Sequence, residues 1–204
     1  MKIRFPTVSA TLALGALALT GASALAQQAA FSLSSPDLSG GTFDNKFVLN
    51  GFGCKGGNVS PALEWRNVPP GTKSLALQVY DPDAPTGSGF WHWAVYNIPP
   101  TSASLAQGAG NEAARLPAGA FGGNPVFMDP GAPGANENSG APCPPQGDKP
   151  HRYIFTLYAL AVDKVEVAGG VPKTGSAGLY GFVLNKGVGA ALLGRASFTA
   201  TYGR

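Results

Sequence analysis

Charge is scarce in this sequence: Asp, Glu, Lys and Arg together make up 12% of its 204 residues, and no run of basic residues occurs. Nucleic acid is therefore not expected as a partner, because binding a phosphate backbone needs a basic stripe. A polybasic or amphipathic membrane-surface helix is missing as well. Histidine is limited to His92 and His151, and cysteine to Cys54 and Cys143. With no H-x-x-x-H or facial-triad spacing among them, a zinc or iron centre is not expected. No Ser or Cys stands in a G-x-S-x-G elbow, so no activated nucleophile is presented. The residues call for no cofactor, and the chain reads as a binding protein, not an enzyme. Internal repeats are also absent.

The one extended apolar run lies at the start. In MKIRFPTVSATLALGALALTGASALA, Lys2 and Arg4 precede a Leu/Ala stretch that ends in Ala24-Leu25-Ala26 before Gln27. These are the three parts of a secretory signal. The expectation is cleavage after Ala26, a periplasmic or secreted product with no membrane span, and one domain over 27–204. Lys2 and Arg4 leave with the signal, so 14 basic residues become 12 against 11 acidic ones, and the exported chain is nearly neutral. Export meets an oxidising compartment, where Cys54 and Cys143 are expected to pair. The bridge would close a loop of about 90 residues, worth on the order of 4 kcal/mol. Two separate buried thiols are the alternative.

Short β-runs separated by turns fill most of the remainder. FSLSS and KFVLNGFG alternate apolar with polar residues, ALEW makes a short strand, and the VPPGTKS turn leads into SLALQVYD. Short turns imply antiparallel pairing. Residues 101–117 have room for a helical turn at most. From 118 to 150 the composition shifts to Gly, Pro, Asn and Ala without periodicity, which reads as a long loop within the domain. HRYIFTLYALAV then alternates Tyr153 and Phe155 with Ile154, Thr156 and Tyr158. SAGLYGFVLNKGVGAALLG reads as a helix weakened by glycines, and ASFTATY as a last strand.

The chemistry concentrates in Tyr80 to Pro99, YDPDAPTGSGFWHWAVYNIP, where two β-runs meet at one Pro/Gly turn. Asp81 and Asp83 stand two apart, a spacing that in extended backbone points both carboxylates to one face. Both histidines open an aromatic strand beside a Pro/Gly loop, His92 in GFWHW and His151 in GDKPHRY. Packed structural histidines are the plainer reading of each alone. Together with the aspartates they suggest a common pocket. Imidazoles and a tyrosine hydroxyl suit an anionic oxygen cluster. Gly87 and Gly89 in TGSG follow no parallel strand and open no helix, so they read as a turn and not a phosphate loop.

GCKGGNVSPALEW, YDPDAPTGSGFWHWAVYNIP and CPPQGDKPHRYIFTLYAL resemble blocks of the phosphatidylethanolamine-binding protein family, also called Raf kinase inhibitor-like, in its bacterial YbhB/YbcL branch. The resemblance covers most of 27–204. It implies a mainly β fold, an antiparallel β-sandwich with a few short peripheral helices. It also implies a small preformed pocket for a phosphoryl or carboxylate group at Asp81, Pro85, His92, His151 and Tyr153, with Pro144 and Pro145 on the rim. A cis Ala84-Pro85 bond is expected on the same ground. Asn124 runs into PVFMDPGAPGANENSG where relatives of this branch often continue differently, so the loop path departs from the family's. Tyr180 is a loose candidate for the tyrosine that some eukaryotic relatives supply from a C-terminal helix.

The expected partner is a small phosphorylated or carboxylated ligand. The alternative is an inhibitor that docks on a kinase- or protease-like protein through the pocket mouth and the 118–150 loop; an unrecognised hydrolase comes third.

Overall fold

The computed structural model describes residues 1–2, 29–124 and 139–204. The expected signal segment, apart from its first two residues, and the middle of the 118–150 loop lie outside that range. Ten strands follow in chain order: β1 Ser32–Ser34, β2 Asn50–Gly51, β3 Cys54–Lys55, β4 Leu63–Arg66, β5 Ser74–Asp81, β6 Phe90–Ile98, β7 Ser104–Leu105, β8 Phe121–Gly122, β9 His151–Leu160 and β10 Leu192–Tyr202. Two short helices, α1 Val165–Gly169 and α2 Ala177–Phe182, lie between β9 and β10. The strands form a five-stranded sheet in the order β10-β9-β5-β6-β8, a three-stranded sheet β1-β4-β7 and the β2-β3 ribbon, all antiparallel.

β5 lies at the centre because SLALQVYD can be buried on both sides. Leu75, Leu77 and Val79 face the small sheet, where they join Trp93, Val95, Tyr153, Phe155 and Leu157 over Leu33, Leu63 and Trp65. The alternate residue Ala76 faces the other way, into a second core of Tyr96, Tyr158, Val165, Ala177, Tyr180 and Leu184 under the helices. A mainly β sandwich with helices on its outer face results, as expected, and it is not a closed barrel. Tyr180 belongs to this second core, fully buried and stacked 4.0 Å from Tyr96. It is on the far side of the sheet from the histidines and does not join their pocket.

Several local expectations need correction. KFVLNGFG is not a one-faced strand: Phe47, Val48 and Leu49 are all buried, which alternation cannot achieve. A 3-10 turn at Asn45–Phe47, capped by the Asp44 side chain accepting from the Lys46 N–H, rotates them into different contacts. The glycine-weakened helix is shorter than its apolar run. Ser176 caps α2 by accepting from the Leu179 N–H, and after Phe182 the chain loosens into a π turn at Val183–Gly187. Among the described residues no peptide is cis, so Ala84-Pro85 is trans. The reversal is made instead by a turn around the Asp81 side chain and by Gly87 and Gly89 at φ 80° and 71°.

Candidate functional site

Asp81 ends β5 and is 2% exposed. Its Oδ1 accepts the N–H groups of Asp83 at 2.8 Å and Ala84 at 3.1 Å, an Asx turn that leaves Oδ2 free to face the histidines. Because the strand stops at Asp81, the two-residue rule fails for its neighbour. Asp83 points outward and takes a forked contact from Arg152, with Nε at 2.8 Å and Nη2 at 2.6 Å. The aspartates therefore do different jobs: Asp81 organises the pocket, and Asp83 fastens the turn to β9.

His151, the first residue of β9, places Nδ1 2.8 Å from Asp81 Oδ2 and Nε2 3.5 Å from Asp148 Oδ2. His92 arrives from β6. Its Nδ1 is 2.9 Å from the Gly140 carbonyl, and only a protonated nitrogen can satisfy that acceptor, so Nδ1 carries hydrogen and Nε2 faces Asp81 Oδ2 at 3.9 Å. The Gly140 N–H in turn donates to the His92 carbonyl at 2.7 Å, which locks the end of the long loop against β6.

Asp81, Pro85, His92, Pro144, Pro145 and His151 line one cavity of about 160 Å³. Tyr153 is not on its wall. The tyrosine lies behind His92, ring edge to ring face at 5.0 Å, and borders a separate cavity of about 20 Å³ with Trp93. Among the described residues the Tyr153 hydroxyl and the Trp93 indole N–H are buried without a partner.

Burial pushes the Asp81 carboxyl up, but the His92 and His151 imidazoles and the Asp83 N–H outweigh it and hold the group below the ordinary carboxylate range. Asp81 is thus the fixed negative charge of the site. The Arg152 guanidinium brings Asp83 down to about 2. Burial, aided by the charge of Asp81, raises the Tyr153 phenol, which stays a hydroxyl.

Sequence reading missed the rest of the enclosure. Phe52, Phe90 and Cys143 line the cavity beside the expected residues. Cys54 and Cys143 are bonded, as expected. The Arg204 side chain ties the same wall together, with Nε donating to the Pro144 carbonyl at 2.7 Å and Nη2 to the Phe52 carbonyl at 3.1 Å. Phe90 had a readable signal, since it stands two before His92 on one strand. Phe52 and Arg204 had none, because their positions depend on chain segments far apart in sequence.

A profile of the phosphatidylethanolamine-binding protein family matches residues 38–203. This chain is a member of the phosphatidylethanolamine-binding protein family. It is 47% identical over 162 residues to the Escherichia coli protein YbcL, spanning 78% of this chain and 82% of YbcL. To YbhB of the same organism it is 43% identical over 136 residues, spanning 66% and 81%. A Mycobacterium tuberculosis relative named putative lipoprotein LppC is 45% identical over 111 residues, spanning 54% of this chain and 48% of LppC. The crystal structure of E. coli YbcL superposes with a TM-score of 0.73 at 42% identity, covering 86% of this chain and 99% of YbcL.

Proposed function

We propose that the Asp81–His92–His151 pocket binds the phosphoryl or carboxylate group of a small ligand, and that this family member works by binding, not by catalysis. The observation that carries this reading is the convergence of two imidazoles on one buried carboxylate, with His151 Nδ1 at 2.8 Å and His92 Nε2 at 3.9 Å from Asp81 Oδ2. Asp81 and Asp148 set two negative charges beside the rings, so the cluster is neutral with both rings protonated and net negative by two with both neutral. Protonation of the rings therefore favours an anion, because it removes net negative charge and makes His92 Nε2 a donor.

The walls favour binding over reaction. Thr86, the hydroxyl residue on the lining among the described residues, donates to the Gly89 carbonyl at 2.5 Å, and Cys143 is bonded to Cys54. Neither is held as a nucleophile beside a base. Phe52, Phe90, Pro144 and Pro145 give an apolar mouth around the polar floor, which suits a ligand with a charged head and an organic remainder. For location we propose the cell envelope, supported by the signal-like residues 1–26 and by the relative named a lipoprotein.

Crystals grown with inorganic phosphate and with O-phosphorylethanolamine test the reading. Anion density with an oxygen about 3 Å from His92 Nε2 is expected. Ordered anion at other sites with this cavity holding only solvent would reject it.

A further inference from the structure

The central sheet carries a second cleft on the face opposite the histidines. Alternation makes this unavoidable: Tyr80 adjoins Asp81, Trp91 adjoins His92, and Ile154 is three residues past His151. Tyr80 pairs across with both Trp91 and Ile154, and Gln78 with Thr156, so these side chains share one patch of the outer face. Among the described residues helix α2 covers only part of it, and what remains is a cleft of about 350 Å³ roofed on one side by Gly178, Gly181 and Phe182. That volume is within the roughly 300–1,000 Å³ range of small-molecule sites.

Three features define what fits. Tyr80 and Trp91 are half-buried rings with centroids 4.6 Å apart, offering aromatic surface at the floor. Gln78 is 4% exposed, and its amide nitrogen donates to the Tyr96 hydroxyl and the Ala177 carbonyl. Both amide hydrogens are thereby used, while Oε1 has no donor among the described residues and lies 3.6 Å from where a Gly181 Cβ would be. Lastly, among the described residues no Asp, Glu, Lys or Arg lines the cleft; Arg195, cross-strand from Tyr158, has its guanidinium 6.0 Å from the Tyr158 ring and donates to Asn185 at 3.1 Å.

We infer that this cleft binds an uncharged pyranose ring of a saccharide. A pyranose presents C–H groups on its face, which stack on aromatic rings, and hydroxyl donors on its edge, which supply the hydrogen bond Gln78 Oε1 lacks. A hydrocarbon tail would bury that oxygen unpartnered. A phosphorylated or carboxylated ligand would find no cation on the described lining, since the neighbouring Arg195 guanidinium is held by Asn185 at 3.1 Å. The Thr156 hydroxyl on the lining adds a neutral partner of the same kind.

The test is a titration of the full ¹⁵N-labelled chain, in phosphate buffer so that the histidine pocket is engaged, with methyl β-D-glucopyranoside, methyl β-D-galactopyranoside and N-acetylglucosamine. At least one sugar should shift the Trp91 indole and Gln78 side-chain amide signals saturably. Trp91→Ala should weaken binding by about tenfold. Gly181→Leu should fill the cleft and abolish binding while keeping α2 folded, because Leu has the better helix propensity. Phosphate affinity should stay unchanged in both variants. The inference is overturned if no sugar shifts these signals, if the shifts centre on His92 and His151, if Gly181→Leu binds like wild type, or if a tryptophyl peptide or nucleoside binds the cleft more tightly than every sugar.

Discussion

His92 enters the pocket with one proton position already decided, since the Gly140 carbonyl at 2.9 Å requires hydrogen on Nδ1. Nε2 is then the nitrogen turned toward Asp81, an acceptor when the ring is neutral and a donor when it is charged. His151 has both nitrogens engaged by carboxylates, so it acts through Asp81 as much as on a ligand. The two rings should thus differ under substitution. We expect His92→Ala to weaken phosphate binding by about 1.5–3 kcal/mol, the scale of a hydrogen bond to a charged group. His151→Ala should weaken binding and also destabilise the fold, by about 3–5 kcal/mol, because it strips a buried carboxylate of its nearest partner. Adding Asp81→Asn to His151→Ala should then recover melting temperature but not affinity, as calorimetry and melting curves will show.

A second residue-scale expectation concerns acid. Asp83 is depressed from 3.8 to about 2 when folded, so its pairing with Arg152 contributes fully above 3.8 and is lost as pH falls toward about 2. Asp81 is shifted in the same direction. In acid-unfolding curves Asp83→Asn should flatten the slope of stability in that window and change nothing near neutrality beyond a constant offset. The offset should be small, because the Arg152 side chain is 57% exposed and screened. At this scale the sequence was informative where a residue sits at a strand end: Asp81, His92 and His151 are all found together. Tyr153 shares a face with His151, but two residues of strand carry it about 7 Å further along, behind His92. Face was legible, depth was not.

The turn between β5 and β6 is the element that shapes the pocket floor. Gly89 has φ 71°, and a Cβ there would come 2.7 Å from the Asp81 carbonyl oxygen besides striking the Tyr80 hydroxyl. Gly89→Ala should therefore cost more than about 1 kcal/mol and lower phosphate affinity by displacing Asp81, whereas the same change at Gly87, which has open space, should affect stability alone. Denaturant midpoints and titrations on the two variants distinguish these outcomes. Strands with plain alternation, such as β9 and β10, could be read from the sequence. The segment around Val48 could not, because it is buried on every side: Leu49 packs with Ala141 and Phe90, and its N–H donates to the Pro142 carbonyl at 3.0 Å, a partner over ninety residues away.

Across the whole molecule, one wall of the pocket is assembled from distant segments fastened together. The Cys54–Cys143 bond closes a separation of 89 residues, and Arg204 bridges Phe52 and Pro144 beside it. Replacing both cysteines by alanine should lower stability by about 4 kcal/mol and weaken phosphate binding, measurable by denaturant unfolding and titration. If stability falls while affinity holds, the wall is set by Arg204 and local packing instead. The fold class could be read from strand spacing and the family blocks; the back-to-back use of the central sheet could not, since it depends on how far α2 extends over the outer face.

The most direct test of the central claim is isothermal titration with phosphate and O-phosphorylethanolamine at several pH values, on wild type and on the His92→Ala/His151→Ala double variant. The account expects wild-type affinity to rise as pH falls, and expects the part of that dependence not supplied by the ligand's own protonation to vanish in the double variant. Single-variant losses that add to more than the double-variant loss would show the rings sharing one ligand. If instead both single variants and the double variant bind either ligand like wild type, with the same pH dependence, the anion-pocket reading is contradicted and docking on a partner protein takes its place.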